Sequence, residues 1–346
     1  MPPEQLPGQA NYDAVILVSF GGPEKRADVI PFLENVLRGK PVPRERMLEV
    51  AEHYYTFEGV SPINTQNEEL VAALRAKLQA DGPNLPVYWG NRNWHPLLPD
   101  TLRQMRADGI QRALAFVTSA YSSYSGCRQY LENIAMARDD VGQDVPRVDK
   151  LRVFYNHPRF IQAAADRVAA AITEVPAERH ARTQLIYTAH SIPEAMSRGC
   201  QYVLQLEETG RLVSKSVGDF DWRLVYQSRS GAPSQRWLEP DIGDYLRAVN
   251  KTGKYTDAVI VPIGFVSDHL EVLFDLDCEA RVICDELGLN MVRAATVGTH
   301  PEFIHMIHEL ILERTSHAPR RAAGQCGPAH DDCPADCCPS GMTSQA

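Results

Sequence analysis

No run of about 20 apolar residues occurs in this 346-residue chain, so no stretch of it is suited to cross a bilayer as a helix. Basic tracts are also missing. The net charge is −9, and cationic side chains are not interleaved with aromatics, which argues against a nucleic-acid partner. Gly21 and Gly22 lack the three-glycine spacing of a dinucleotide fingerprint, and no Walker-type phosphate loop is present, so no nucleotide is expected. Met1-Pro-Pro-Glu-Gln-Leu-Pro7 has neither a basic n-region nor an apolar h-region and does not read as a secretion signal. The expected location is therefore cytoplasmic. Thiols stay reduced there, so eight cysteines point to metal ligation or inert burial rather than disulfides.

What the chain does have is enough apolar material, 44% of residues, for one large or two medium α/β domains. Short apolar runs alternate with helical periods. Strands are expected at 14–18, 87–89, 112–118, 185–189, 222–228, 257–263 and 291–294. The principal helices are expected at 25–37, 44–55, 64–79, 98–108, 158–172, 199–217, 241–252 and 301–316. Gly142 to Asp149 marks a boundary, after which the pattern restarts. Two similar domains of parallel sheet flanked by helices follow, at 12–145 and 150–316, facing each other across a cleft.

Two strand ends carry the chemistry. Leu185-Ile-Tyr-Thr-Ala189 delivers His190 to the carboxyl end of a strand, where ligands of open α/β sheets bind. Asp257 to Ile263 leads through Gly264-Phe-Val-Ser-Asp-His-Leu to Glu271. Glu271, Asp275 and Glu279 recur every four residues and line one side of a helix. Such like charges repel, and a bound cation would relieve them. An imidazole and a carboxylate from two strand ends of one sheet suit a divalent metal or a proton-transfer pair. Arg92, at a third strand end, can hold a carboxylate or tune that metal site. The hydroxyl-rich loop Ser119 to Tyr130 opens a helix and suits carboxylate groups of a ligand.

Residues 318–346 form a distinct segment without hydrophobic period, which cannot fold by apolar burial alone. It nevertheless holds Cys326, Cys333, Cys337 and Cys338, which makes sense if metal organises it. Thiolate ligation of this kind suits zinc or an iron–sulfur cluster. Cys200, Cys278 and Cys284 fall on expected helices as inert core or near-core residues.

Thr188-Ala-His-Ser-Ile-Pro193 with Gly264-Phe-Val-Ser-Asp-His-Leu-Glu271 resembles the ferrochelatase family, which inserts ferrous iron into a porphyrin. Further matches are Leu17-Val-Ser-Phe-Gly-Gly-Pro23, Gly59-Val-Ser-Pro62, Gly90-Asn-Arg-Asn-Trp-His-Pro96, Tyr121 to Tyr130, and Tyr226-Gln-Ser-Arg229 with Trp237, spread over roughly residues 12–310. The resemblance implies a two-domain, Rossmann-like chelatase fold with the active-site cleft between the domains. It implies His190 and Glu271 as catalytic residues and Fe2+ ligands, with Asp275 and Glu279 extending an acidic path. It implies porphyrin contacts at Phe20, Tyr54, Ser61, Arg92, Tyr130 and Trp237. It also implies a [2Fe-2S] cluster held by Cys127 and three tail cysteines: Cys333, Cys337 and Cys338, with Cys326 as the substitute. Coproporphyrin III is the favoured substrate. Protoporphyrin IX, insertion of cobalt or nickel, a haem- or iron-sensing binding protein, and a structural zinc hook in the tail are the alternatives.

Overall fold

Residues 14–19 and 183–190 are apolar or uncharged almost throughout, the pattern of strands covered on both faces. In the computed structural model, which describes residues 11–40, 42–231 and 234–341, each is an inner strand of a four-stranded parallel sheet. The first sheet consists of β1 (Ala14–Ser19), β2 (Val87–Asn91), β3 (Arg112–Val117) and β4 (Arg147–Lys150), in the order β2-β1-β3-β4. The second consists of β5 (Thr183–His190), β6 (Asp221–Gln227), β7 (Asp257–Val261) and β8 (Asn290–Arg293), in the order β6-β5-β7-β8. The same winding thus occurs twice, and the sheets are flanked by helices as expected.

The alternation of side chains explains why both faces are covered. Val15 and Leu17 of β1 and Leu185, Tyr187 and Ala189 of β5 join one core shared by the two halves. Ala14, Ile16 and Val18 face a separate core with Leu98, Leu102 and Ile134. Ile186 and Ile260 do the same in the second half with Leu246, Val272 and Leu276.

The fourth strand of the first sheet falls within the stretch that composition marks as a boundary, between 145 and 150. It is an edge strand, and Arg147-Val-Asp-Lys150 carries charge instead of an apolar run. Periodicity therefore gives no sign of it.

Besides these cores of their own, the halves share one. Helix Pro301–Thr315 packs on helix Pro158–Ile172 of its own half and on helix Ile63–Asp81 of the other. Polar ties cross beside it. The buried Tyr121 hydroxyl donates to the Ile263 carbonyl at 2.9 Å, and His308 bonds to the Gly82 carbonyl at 2.6 Å. Arg152 and Glu313 form a bidentate pair at 2.7 and 2.9 Å with side chains 1% and 2% exposed. Arg152 also donates to the Arg321 carbonyl at 2.9 Å, so the pair holds the start of the tail.

The tail is tied down by polar contacts ahead of Cys333, Cys337 and Cys338. Asn156 exchanges hydrogen bonds with Ala323 and bonds Gly327, and Asp331 pairs with Arg320 and Arg314. Among the described residues no helix is long and apolar enough to cross a membrane.

Removing one partner of a buried ion pair strands the other charge. Glu313→Ala is therefore expected to cost about 3–5 kcal/mol of unfolding free energy. Denaturant titration measures this, and a loss below about 1 kcal/mol, the range of an exposed pair, would show that Arg152 is satisfied elsewhere.

Candidate active site

In each sheet the chain winds outward from its first strand in one direction and then returns to the other side of it. The crevice where the order reverses, outside the carboxyl ends of the strands, is where open α/β sheets bind ligands. In the second sheet that crevice lies between β5 and β7. His190 is the last residue of β5, and β7 leads into the loop that ends at Glu271. Topology alone thus brings the two expected residues to one place. His190 Nε2 stands 3.7 Å from Glu271 Oε2, with the side chains 34% and 41% exposed to the cleft.

The imidazole is aimed by its other nitrogen. Nδ1 donates to the Ser191 carbonyl, which turns Nε2 toward Glu271. The Ser191–Pro193 turn is clamped in its own right. Ser191 Oγ donates to the Leu238 carbonyl at 2.8 Å, and Leu238 N–H donates to the Ile192 carbonyl at 3.0 Å.

Charge at this pair is set by opposing effects. Burial alone would lower the His190 pKa, but the Glu271 carboxylate, its hydrogen bond and the Ser191 carbonyl together raise it to about 9. Burial alone would raise Glu271, but the imidazolium more than offsets this and holds the carboxyl below its ordinary value. At neutral pH the resting pair is imidazolium and carboxylate. His269 is held below its ordinary value by burial and by the charge on His190, against the pull of Glu271.

Glu271, Asp275 and Glu279 do form a row, but the helix is not wound as expected. Leu273–Ala280 is a π-helix between a short α-turn and helix Arg281–Leu287. Such wide turns are rare and concentrate at functional sites. The row leads from the half-buried Glu271 and Asp275 to the exposed Glu279. All three line a cavity of about 690 Å³ together with His53, Tyr54, Gln227, Ser228 and Phe274. Burial, and then the Glu271 charge, push Asp275 up to about 7. Ser228 and Gln227 donate hydrogen bonds to its carboxylate and restrain that rise.

The other expected residues divide into two groups. Tyr54 lines the cavity, and Phe20 and Arg92 are partly buried beside each other. Tyr54 packs on Phe32, and burial beside Glu271 and Asp275 keeps its phenol protonated. The Arg92 guanidinium lies 4.5 Å from the Tyr130 ring centre and 5.6 Å from that of Phe20. Its Nε is buried without a partner. Ser61 and Trp237, by contrast, are 4% and 8% exposed and enclosed by protein, Ser61 against Gly22 and Trp237 against Gly231. Tyr130 is equally buried, beneath Arg92.

Sequence reasoning assigned no role to Gln227, Ser228, His53 or Lys40. Gln227 ends β6, next to β5, so the strand-end argument that picked out His190 would also have found it. His53 stacks on Phe274 with centroids 3.9 Å apart, closing the first half against the π-helix. Lys40 is shifted below its ordinary value by burial and by the charge on Arg92.

The cysteines also separate. Cys127 is buried in a second π-turn, Tyr124–Arg128, which Ser123 caps. Cys333 donates a hydrogen bond that, with the Lys150 charge and against burial, lowers the Cys127 thiol to about 6. Cys337 and Cys338 place their sulfurs 3.6 Å apart. Cys326 is exposed and lies beside Tyr155 instead. Cys284 is buried as expected, whereas Cys278 lines the cavity and Cys200 lies in the electrostatic range of Cys127 and Cys337.

The charge balance at His190 is open to direct measurement. In Glu271→Gln the burial effect remains and the largest raising charge is gone, so the His190 titration midpoint should fall well below about 9. The stabilising pair of the native protein is fully present below pH ~6.5 and disappears as pH rises through the folded-state value. Imidazole NMR titration reports the midpoint directly. An unchanged midpoint in the variant would mean that Glu271 does not set the charge on His190.

Residues 12–315 match the family model for ferrochelatase. A ferrochelatase of Rhodopirellula baltica is 58% identical over 328 residues, covering 94% of this chain and 93% of the relative. A coproporphyrin III ferrochelatase of Streptomyces griseus is 49% identical over 354 residues, covering 96% and 94%. One of Streptomyces coelicolor is 47% identical over 352 residues, covering 95% and 94%. Among solved structures, SirB from Bacillus subtilis with Fe3+ aligns with a TM-score of 0.57 at 10% identity, covering 88% of this chain and 96% of that one. DR2241 from Deinococcus radiodurans, a multi-domain protein with structural similarity to chelatases, aligns at 0.53 with 16% identity, covering 87% and 55%. These structures share the chelatase fold, and on the family match and the identities the chain belongs to the ferrochelatase family.

Proposed function

We propose that this protein is an enzyme of haem biosynthesis that inserts Fe2+ into a porphyrin, with coproporphyrin III as the preferred substrate and the cytoplasm as its location. The observation that carries the proposal is the His190–Glu271 pair at the second sheet's crevice, whose Glu271 also lines the acidic cavity. Family membership and the names of the relatives support the same chemistry.

Insertion must strip water from the ion and remove two pyrrole protons. Glu271 is the carboxylate that meets the incoming ion, and the acidic row from Glu279 to Asp275 supplies the route to it. Because His190 rests as the imidazolium, it must first give up its proton. A cation arriving at Glu271 cancels the charge that holds that proton, and Asp275, near neutrality in its own titration, stands next along the row to carry it outward. The freed Nε2 then takes a pyrrole proton or binds the ion. Binding along the macrocycle's broad faces would bend the ring and expose its nitrogen lone pairs.

Coproporphyrin carries four propionates and protoporphyrin two. We assign to Arg92, with its unpartnered Nε, and to Lys40, which lies within its electrostatic reach, the positive charge that would hold these carboxylates. For the tail, the convergence of Cys127 with Cys333, and of Cys337 with Cys338, fits a centre ligated by thiolates. We read this as a [2Fe-2S] site, which when bound would supply a one-electron couple and a covalent staple between the tail and the body.

Anaerobic incubation of the purified protein with ferrous iron and each porphyrin in turn tests the reading, with faster metallation of coproporphyrin III expected. His190→Ala should lower insertion by at least about 10²-fold, the usual contribution of a positioned acid–base group, while porphyrin affinity changes only slightly. Undiminished turnover by that variant would remove His190 from the mechanism, and tight porphyrin binding without metallation by the native protein would favour a sensor instead.

A further inference from the structure

The stretch between His190 and helix Tyr202–Val217 is a loop closed on itself. The Tyr202 hydroxyl donates to the His190 carbonyl at 3.0 Å, so both ends of the loop meet at the residue that faces Glu271. Between them lies the short helix Glu194–Ser197, none of whose four residues is buried. A single helical turn is not stable by itself in water. Its main chain is nevertheless ordered. Glu194 N–H donates to the Arg236 carbonyl at 3.0 Å, and the N–H groups of Ser197 and Arg198 donate to the carbonyls of Pro193 and Glu194 at 3.0 Å each.

What packs on residues 195–199 is the far end of the tail. A Cβ placed on Gly199 would stand 2.7 Å from Cγ and 3.0 Å from Cδ of Pro339. One placed on Gly341 would stand 2.7 Å from Met196 N and 2.9 Å from the carbonyl carbon of Ala195. No side chain fits at those distances, so the two glycines let tail and turn touch. Gly341 also takes a left-handed φ of 70°, which favours glycine. Cys338 is 3% exposed and fixes where Pro339 leaves the body of the protein. Met196 is in addition reached by Ser125 Oγ at 3.9 Å and packs against the shared core, so the turn touches the first half as well as the tail.

We propose that the end of the tail is a positioning element of the active site: Pro339 and Gly341 seat on residues 195–199 and hold the His190 loop closed. The Ser191 carbonyl, which aims the imidazole through Nδ1, stands three residues before the turn. Loosening the turn lets that carbonyl move, and the ring then spends less time directed at Glu271. Neither Pro339 nor Gly341 is a catalytic residue, since both act through the loop. The proposal deepens the reading of His190 as the acid–base group and rests on it.

Two full-length variants test it, each retaining all eight cysteines. Gly199→Leu fills the seat from the side of the turn, and Gly341→Leu from the side of the tail. In each, kcat for metallation should fall roughly 10-fold, less than the ~10²-fold that a 1 Å misplacement can cost, with KM for the porphyrin nearly unchanged. Amide hydrogen exchange at Glu194, Ser197 and Arg198 should accelerate in both, without substrate present. Because both substitutions break one contact, the double variant should be no slower than the slower single variant. Unchanged kcat and exchange in the single variants overturn the proposal, and so do effects that multiply in the double variant. A native protein that metallates no porphyrin overturns the functional reading instead, while exchange still reports whether the tail holds the turn.

Discussion

Everything at the cleft depends on which strands lie side by side. Because the second sheet runs β6-β5-β7-β8, the ends of β5 and β7 are neighbours, and the loops leaving them must share a crevice. His190 ends one strand, and Glu271 follows the other through a loop that Arg293 braces at Asp268 while also holding Asp277 of the π-helix beyond. A swap of strand order would separate imidazole and carboxylate by a strand width or more without changing a residue. The first sheet repeats the winding but ends its central strand in Ser19, so the same topology builds a wall there instead of a second charged pair.

Two widened helical turns occur at the two places where chemistry collects. One carries the acidic row, and the other carries Cys127. Wide turns loosen the regular backbone ladder and are retained where side-chain placement compensates. Around Asp275 that placement is visible: Ser228 and Gln227 from the end of β6 bind a carboxylate that burial and Glu271 would otherwise drive further toward the neutral form. Along the row Glu271 is held below its ordinary value by the imidazolium of His190 while Asp275 is pushed up, so neighbouring carboxyls differ in proton affinity.

Much of this was legible in the residues, for identifiable reasons. Inner strands such as Ala14–Ser19 and Asp257–Val261 declare themselves because burial on both faces demands apolar runs. Arg147–Lys150 does not, because an edge strand is free to carry charge. The π-winding at 273–280 left no compositional trace, since its sequence reads equally well as an α-helix. Lys40 gives no sign of its position, because its approach to Arg92 joins segments far apart in the sequence. In the tail, spacing alone could not tell Cys326 from its neighbours. The polar clamp of Asn156 on residues 323 and 327 carries Cys326 toward Tyr155 instead of toward Cys127.

The helix Pro301–Thr315, which leans on both halves, has a bearing on biogenesis. It follows both sheets in the chain, so a ribosome releases it only after all eight strands have emerged. Until then Phe303, Ile307 and Ile311 are missing from the common core, and apolar residues of the helix at 63–81 lack their cover. The nascent protein must therefore pass through an open form with sticky surface, a natural client for chaperones, and it acquires a working cleft only near the completion of synthesis.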